Sequence, residues 1–567
     1  MKTCDREKQG AENLQMGTAQ ECRLQQRSVS GAMLLLLGTA LLGILTVGNA
    51  FVLDAVIGQF RLVWLAVMAC FEVASIAAAM ILWPNLRPAV RWHWPEMVGM
   101  LVVGGAFLAH ALYLAPSDLM PISFSVDCSH QHLLVNYIYE HNRFPDGVHY
   151  LYIYDDYPVG PSALAALLAR LLAVLPVQTM VPLAALFVAA QAMVMYGVSA
   201  ESLPRRPSSH VLAVLAALVA FLAYPFSVNV FAERFYSNMM MGDLTVLLAL
   251  WVTVVRERLH PVWTAGLTVC LIFGCLNSYP AWLPFIATPL VVSTLLDRRI
   301  SVRKRWLLVG TELIVTAILT VVTVIDQWDF ITWFAPSRGR RLIPDWQSLG
   351  GIALIFLGWG TWTLVRTWKR HRGLALFIVT DTVLVIALYG MAILDRLTLY
   401  IPDKTFYFNV FLFSVPIALG LSQIWERLAP ASRIKDWVSC IVMATLGLVV
   451  VAGVNFRFSP PTEYPITLDE YRVAYRTAKE MPDAELVYLV RNNATFYWAY
   501  GCILNHTQDL AAQSERWQAS PPTYEGWMQD VAAPSRAMVS DLRTLPQDGR
   551  WRIIIRSGNS GVIGKVH

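Results

Sequence analysis

Long apolar segments recur along most of this chain, and short polar loops separate them. About thirteen of these segments approach the roughly 20 apolar residues that a helix needs to cross a bilayer. They lie near residues 31–53, 63–83, 96–115, 178–199, 211–230, 240–256, 262–277, 281–296, 306–326, 350–367, 374–394, 405–424 and 436–456. The pattern predicts a polytopic α-helical membrane protein of about 13 transmembrane helices.

One further apolar segment, near 159–175, is short and carries Arg170 in its interior. Cytoplasmic loops of membrane proteins are enriched in Lys and Arg. The basic clusters of this chain fall on one face of the membrane only if the 159–175 helix does not cross the bilayer. These clusters are Arg87 with Arg91, Arg205 with Arg206, Arg256 with Arg258, Arg298 to Arg305, Arg366 to Arg372, and Arg427 to Lys435. We therefore expect it to be a juxtamembrane helix at the outer interface.

The resulting topology divides the chain into three parts. Residues 1–30 form a cytoplasmic N-terminal tail, and residues 31–456 form the transmembrane domain, with an outer loop at 116–177. Residues 457–567 are more polar, with a helical pattern at 468–480 and strand-like stretches at 486–490 and 551–555. We expect this tail to be a small extracytoplasmic α/β domain and the protein to be a multi-pass protein of the cell membrane.

Composition supports the membrane class and excludes others. The chain is 56% hydrophobic and 15% charged, and its mean hydropathy is +0.50, which is too apolar for a soluble enzyme. The net charge of +5 comes from short clusters that indicate topology and not a nucleic-acid surface. The eight cysteines contain no CxxC pair, so neither a zinc site nor a disulfide framework is indicated.

The first outer loop is unusually acidic for a segment beside a bilayer. Residues 116–158 contain a single basic residue, Arg143, against the acidic residues and histidines Asp118, Asp127, His130, His132, Glu140, Asp146, Asp155 and Asp156. Charged groups at this depth are costly unless they face water or a bound partner. Asp127 is also well placed to cap a helix over 128–141, so a structural and a functional interpretation both remain open.

A second outer segment adds Glu233 and Asp243 at the same predicted face. Carboxylates converging from two loops could bind a divalent cation, with Asp127 and Asp243 as its ligands, or could divide the roles of base and electrostatic stabiliser. Alternatively, Glu233 pairs with Arg234 and Asp243 caps the next helix.

Basic residues also lie on the predicted outer face, where few are expected. They are Arg338, Arg340, Arg341, Arg396 and Lys404. Guanidinium and ammonium groups suit phosphate binding. The alternative is contact with lipid headgroups or with neighbouring aspartates. Lys404, which directly precedes an apolar segment, is the first candidate for a phosphate contact.

Three motifs, in this order and topology, resemble the GT-C superfamily of integral-membrane glycosyltransferases. The first is Asp127 in SVDCSHQHLLVNYIYEHNRFP, the second is the tyrosine-proline element in DDYPVGPSALAALLARLL, and the third is Asp243 in ERFYSNMMMGD. The superfamily includes protein O-mannosyltransferases, lipid A aminoarabinose transferases and the catalytic subunit of oligosaccharyltransferase. This chain differs by two extra spans ahead of the usual first helix and by Cys128, where many relatives have a second acidic residue.

The resemblance implies an inverting transfer of a sugar from a polyprenyl-phosphate carrier to a glycan, lipid or protein acceptor at the outer face. Asp127 would then be the base, and Glu233 and Asp243 would orient the acceptor or hold a cation. His130, His132, Asp155, Asp156, Tyr157, the three arginines at 338–341 and Lys404 would bind substrate. A divalent cation, Mg or Mn, is a cofactor in some relatives, and its presence here stays open.

Two other classes compete with a transferase. A transporter needs polar residues deep within its spans, broken helices or paired repeats, whereas the ionisable residues here gather at span ends. A scaffold or sensor would explain the C-terminal domain but would leave the outer carboxylates without a role.

Overall fold

Helices make up most of the structure, and a small sheet follows them. The computed structural model describes residues 28–115, 118–121, 126–146, 157–204, 207–218, 237–297, 299–328, 346–428, 466–481, 486–489 and 523–566. The α-helices are α1 (Gly31–Ile57), α2 (Leu62–Leu82), α3 (Trp94–Leu114), α4 (Val126–His141), α5 (Gly160–Leu172), α6 (Val177–Ser202), α7 (Pro207–Ala217), α8 (Ser237–Val255), α9 (Pro261–Leu276), α10 (Leu283–Leu296), α11 (Val302–Asp326), α12 (Trp346–Arg366), α13 (Arg372–Ile393), α14 (Tyr400–Lys404), α15 (Phe406–Leu412), α16 (Ser414–Leu428), α17 (Leu468–Glu480) and α18 (Tyr524–Gln529). The strands are β1 (Val29–Ser30), β2 (Val90–Arg91), β3 (Val487–Leu489), β4 (Arg536–Val539), β5 (Trp551–Ser557) and β6 (Ser560–Lys565).

Within these ranges, eight helices are long and apolar enough to cross a membrane. Four shorter apolar helices accompany them, among them α5, α9 and the helix ending at Leu296. The predicted class, a polytopic α-helical membrane protein with a small C-terminal α/β region, is confirmed. Of the predicted spans, 436–456 lies outside the described residues, and 211–230 is described only as far as residue 218.

The helices differ in whether their side chains are exposed on the surface of the molecule or buried against other helices. α2, α11 and α13 expose large apolar side chains such as Phe71, Leu307 and Val383, as expected of helices that face lipid. In contrast, α8 is buried almost throughout and contacts α5, α6, α9, α10, α13 and α15. Because α8 lies at the centre of the helix packing, polar groups on it are held by protein and are shielded from lipid.

Several basic clusters that were predicted to share one membrane face come together at one end of the molecule. Arg91 and Arg258 both bind the Glu201 carboxylate, at 3.3 and 2.6 Å. Arg299 donates a hydrogen bond to the backbone oxygen of Arg256, at 3.1 Å. These contacts gather the loops before α3, α9 and α11 at the C-terminal end of α8. Which face is cytoplasmic stays a prediction.

The short helix α5 has 13 residues, which at 1.5 Å per residue gives about 20 Å, against a hydrocarbon core of about 30 Å. It buries Ala163, Ala166 and Leu167, and Arg170 Nε donates to the backbone oxygen of Tyr139 in α4 at 3.0 Å. The juxtamembrane position of this helix stays a prediction.

The C-terminal region forms a four-stranded sheet in the order β3-β4-β6-β5. β3 pairs with β4 in parallel, and the other pairs are antiparallel. α17 packs on β5 and β6, and Thr467 with Glu470 forms a capping box that starts this helix. The predicted helix at 468–480 therefore has the bounds seen in the structure, and the predicted strands are β3 and β5.

Candidate functional site

Side-chain hydrogen bonds fix the N-terminal turns of the central helix α8. Ser237 Oγ donates to Gln131 Oε1 of α4 at 2.6 Å, and Asn238 Nδ2 donates to the backbone oxygen of Pro158 at 2.5 Å. Gln191 of α6 donates to a backbone carbonyl in the same turn of α8, at 2.7 Å. The loop helix, the tyrosine-proline element and α6 therefore converge on the start of α8.

Asp243 lies in the second turn of α8 and is completely buried. Its Oδ1 accepts a hydrogen bond from Trp282 Nε1 at 2.7 Å. Its Oδ2 has no hydrogen-bond partner among the described residues. A buried carboxylate oxygen without a donor is costly, so this atom marks a place where a ligand or a neighbouring side chain would be stabilised.

Gly242 allows Trp282 to reach this carboxylate. A Cβ atom added at Gly242 would lie 2.6 Å from Tyr279 Cβ and 3.1 Å from Trp282 Cδ1. Any larger residue would push the turn containing both aromatic residues away from α8. The glycine therefore sets the distance between Asp243 and Trp282.

Lys404 brings a positive charge to the same site from the other half of the chain. It ends the short helix α14 and is buried. Its Nζ lies 4.2 Å from the ring centroid of Tyr400 and 5.3 Å from that of Tyr279, which is cation–π geometry. Tyr279 in turn packs against Gly242, the neighbour of Asp243 in α8. The site therefore contains one acidic and one basic side chain, Asp243 and Lys404, beside the same aromatic turn.

Further aromatic side chains close the site around Trp282. The Trp282 ring makes edge contacts with Phe408 and Phe285, with centroids 5.2 and 5.8 Å apart. Phe285 and Phe408 also contact each other at 5.2 Å. In such a poorly hydrated environment, charges interact more strongly than they do in water. This arrangement suits electrostatic stabilisation of an anionic group that comes within reach of Lys404.

The described part of this site does not by itself fit a divalent cation. Such ions take six or more oxygen ligands, whereas Asp243 offers one oxygen without a donor, beside a lysine ammonium. Among the described residues no group of three metal-ligating side chains occurs. The side chain of the other predicted ligand, Asp127, lies outside the described residues, so the predicted metal site stays a prediction.

The structure brings together two of the predicted site residues, Asp243 and Lys404. Asp127 and His130 belong to the first turns of α4. Asp127 lies one helical turn before Gln131, and His130 lies directly before it. The side chains of both residues lie outside the described residues. α4 begins at Val126, so Asp127 lies in its first turn, whereas a helix over 128–141 would have placed it at the preceding cap position. Tyr157 is partly buried. The remaining predicted residues lie outside the described ranges: Asp155, Asp156, Glu233, Arg338, Arg340 and Arg341.

His132 lies in a different environment from Asp243. It is fully buried, and its Nε2 lies 2.8 Å from the hydroxyl oxygen of Tyr471 in α17. Burial lowers the pKa of His132 to about 3, so the imidazole is neutral. In the same interface, Lys479 of α17 forms an ion pair with Glu140 of α4 at 3.2 Å. The structure therefore places His132 in the contact between the loop helix and the C-terminal domain.

The sequence alone did not single out Trp282, Tyr279, Tyr400 or Gly242. The sequence signal that could have pointed to them is the segment Asn277-Ser278-Tyr279-Pro280 with the nearby Trp282, which lies between two apolar segments and looks like a simple turn. The contact of this turn with Asp243 depends on how the helices pack, and the hydrophobic periodicity of the sequence does not contain that information.

No protein-family model matches this chain, and no curated protein sequence matches it. Its structure is similar to the crystal structure of ArnT from Cupriavidus metallidurans bound to undecaprenyl phosphate. That match has a TM-score of 0.42 and 13% sequence identity, and it covers 83% of this chain and 98% of that chain. At this level of similarity, the activity of the chain has to be judged from its own residues.

Proposed function

We propose that this protein is a membrane glycosyltransferase that moves a sugar from a polyprenyl-phosphate carrier to an acceptor. Transfer would occur at the membrane face on which the C-terminal domain lies, which is the predicted outer face. The observation that carries the proposal is the burial of Asp243 and Lys404 beside one aromatic turn. Asp243 accepts a hydrogen bond from Trp282, and Lys404 Nζ lies 5.3 Å from the ring centroid of Tyr279. The start of α8 is also hydrogen-bonded to the loop helix that contains Asp127.

The reaction needs a cation beside the departing phosphate. An acceptor hydroxyl oxygen attacks the anomeric carbon from the face opposite the phosphate, and the bond between that carbon and the phosphate oxygen breaks. The electron pair leaves with the phosphate, so negative charge develops there. Lys404 is the proposed group that stabilises this charge, because a preorganised ammonium in a dry site needs little reorganisation.

Asp127 is the proposed base that accepts the proton of the attacking hydroxyl. Asp243 is proposed to hold the Lys404 ammonium in place while Trp282 fixes the orientation of the Asp243 carboxylate. Glu233 is proposed to orient the acceptor. In this scheme the products are an inverted glycoside and the free polyprenyl phosphate.

Turnover of a labelled polyprenyl-phosphate sugar by the purified protein tests the proposal. Lys404→Ala should lower kcat by about 100-fold, the size of effect seen when one stabilising donor is lost, and should weaken binding of the donor more than binding of the acceptor. Asp127→Asn should abolish turnover while donor binding is kept. The matched control is Lys479→Ala, which removes a half-exposed lysine of the C-terminal domain and should leave kcat unchanged.

Equal losses of donor and acceptor affinity in Lys404→Ala would remove Lys404 from the phosphate contact. A near-normal rate in Asp127→Asn would remove that residue from the role of base. A chelator added to the same assay tests the divalent cation that some GT-C relatives use. A loss of turnover that added Mg or Mn restores would support a bound ion.

A transporter is the second candidate, and Asp381 is the observation that favours it. The sequence-based expectation that ionisable residues gather at span ends is wrong for this residue, since it lies well inside α13 and is buried. Its Oδ1 has no hydrogen-bond partner among the described residues. Acidic residues at such depth often mark ion or substrate paths. Substrate accumulation in sealed vesicles that Asp381→Asn abolishes, without labelled-lipid turnover, would favour transport.

A further inference from the structure

A cavity of about 510 Å³ lies between the C-terminal domain and the segment that follows α5. On one side it is lined by Ala173, Leu175 and their neighbours between α5 and α6. On the other side it is lined by side chains of α17 and β5. Its volume is in the range of sites that bind small molecules. None of the residues around Asp243 lines it, so it is separate from the candidate site.

The charged side chains that line this cavity are all positive. Three arginines line it, Arg472 and Arg476 from α17 and Arg556 from β5, and no acidic residue lines it. Arg472 forms no hydrogen bond or ion pair with the described residues, and Arg556 uses its Nε to bind the backbone oxygen of Gly558 at 3.0 Å. Guanidinium groups present paired donors that match a phosphate group.

Nearby acids neutralise only part of this charge. Glu480 pairs with Arg476 at 2.8 Å, and Asp469 accepts a hydrogen bond from Ser557 Oγ at 2.9 Å. Neither acid lines the cavity. Arg472 and Arg556 therefore remain without a carboxylate partner among the described residues, and an anion entering the cavity would meet two available guanidinium groups.

The rim of the cavity is apolar where α5 ends. Leu171 and Leu172 directly precede the cavity-lining Ala173, and they are 71% and 57% exposed. Exposed leucines at the end of an amphipathic helix of interfacial length are typical of a helix that lies in the lipid interface. The cavity thus offers arginines for a phosphate and leucines for the start of an acyl chain.

We propose that this cavity binds the phosphate headgroup of an anionic lipid and thereby ties the C-terminal domain to the surface of the bilayer. The phosphate would lie between Arg472 and Arg556, and the acyl chains would pass along Leu171 and Leu172. This site is independent of the proposed transfer reaction. A soluble phosphate would use the same arginines but would gain nothing from the leucines.

Native mass spectrometry of the full-length protein tests this site. The probes are phosphatidylglycerol and phosphatidylcholine with identical chains, and inorganic phosphate. The wild type should retain phosphatidylglycerol about tenfold more strongly than phosphatidylcholine. Arg472→Gln combined with Arg556→Gln should lose that preference. Arg536→Gln combined with Arg552→Gln, an equal charge change on exposed arginines of the same domain that do not line the cavity, should keep it.

Leu171→Ser combined with Leu172→Ser separates the two sources of phosphate. It should weaken phosphatidylglycerol binding severalfold and leave competition by inorganic phosphate unchanged. If inorganic phosphate binds as tightly as the lipid and the leucine variant has no effect, the ligand is a soluble anion and the lipid proposal fails. If both arginine double variants behave alike, the cavity is not the binding site.

Discussion

At the scale of single residues, Gly242 determines whether the acid and its aromatic neighbours meet. Because Gly242 has no side chain, the turn with Tyr279 and Trp282 can lie against α8. As a result, the Trp282 N–H reaches Asp243 at 2.7 Å. The geometry of a buried acidic side chain is therefore set by a residue that has no functional group of its own.

Replacing Gly242 by Ala should destabilise the protein by about 1–3 kcal/mol, because the added methyl group overlaps Tyr279 in a packed interior. Thermal unfolding in detergent measures this, and turnover should fall in parallel as Trp282 moves. Gly310→Ala is the matched control. It adds a methyl group to helix α11 where no atom lies within 4 Å of the new Cβ, and helices favour Ala over Gly by about 1 kcal/mol. Equal melting temperatures for both variants would contradict the packing argument.

How far single residues can be predicted depends on the kind of signal. Asp243 and Lys404 are candidates from the sequence because they lie beside apolar segments on the predicted outer face, where a charged group is costly unless it meets water or a partner. Trp282 and Tyr279 are not found, because aromatic residues near a bilayer are common as interface anchors. Their place beside Asp243 follows from the packing of helices that are distant in sequence.

At the scale of secondary-structure elements, the contact between α4 and α17 joins the helical part of the chain to the C-terminal domain. His132 and Tyr471 are both fully buried in it. Tyr475 adds a hydrogen bond to Glu140, which also pairs with Lys479. Because the imidazole of His132 is buried away from water, this contact forms with the neutral ring.

This contact should weaken in mild acid. The pKa of His132 is about 3 in the folded protein and about 6.5 when the residue is exposed. Between these values the unfolded state binds a proton that the folded state does not, so stability falls as pH decreases. The loss is about 1.4 kcal/mol per pH unit below 6.5, and there is no contribution above it.

Melting curves of the full-length protein between pH 7.5 and 5.5 measure this dependence. His132→Phe should flatten it, because the ring remains but no longer titrates. Tyr471→Phe should lower stability by about 1 kcal/mol at each pH and should keep the slope. Identical slopes for the wild type and His132→Phe would show that other groups cause the acid sensitivity.

Most elements could be predicted from the sequence, and their contacts could not. The bounds of α17 follow from an amphipathic pattern and from the Thr467–Glu470 capping box, both of which are local signals. The bounds of α5 agree with the short apolar segment predicted near 159–175. The pairing of α4 with α17 lacks such a signal, since His132 and Tyr471 are separated by most of the chain.

At the scale of the whole molecule, charges are concentrated at both ends of α8. The N-terminal end carries Asp243 with Lys404. The other end carries Glu201, which binds Arg91 and Arg258. This second cluster holds the segment before α1 as well, since Arg258 also donates to the backbone oxygen of Ser28 at 3.3 Å. It connects loops that are distant in sequence and has no proposed role in the reaction.

Glu201→Gln should therefore lower stability without changing the chemistry. The Glu201 side chain is 3% exposed, so its loss of charge leaves Arg258 without this counter-charge, whereas Arg91 keeps Glu96 at 3.6 Å. We expect a cost of about 2 kcal/mol, less than for a fully buried pair because both arginines reach solvent. Glu480→Gln removes an exposed ion pair and should cost less than about 0.5 kcal/mol. Chemical denaturation compares the two variants, and equal midpoints would show that Glu201 is not a structural tie.

The strand order of the C-terminal sheet has a consequence for biosynthesis. β6 follows the other three strands in the chain, yet it lies between β4 and β5 and pairs with both. Until the ribosome has released Ser560–Lys565, β4 and β5 have no common neighbour among the described strands, and these strands stay in two separate parts. A premature stop codon just before Ser560 would remove β6 and would leave the domain unable to assemble on helices that have already been inserted.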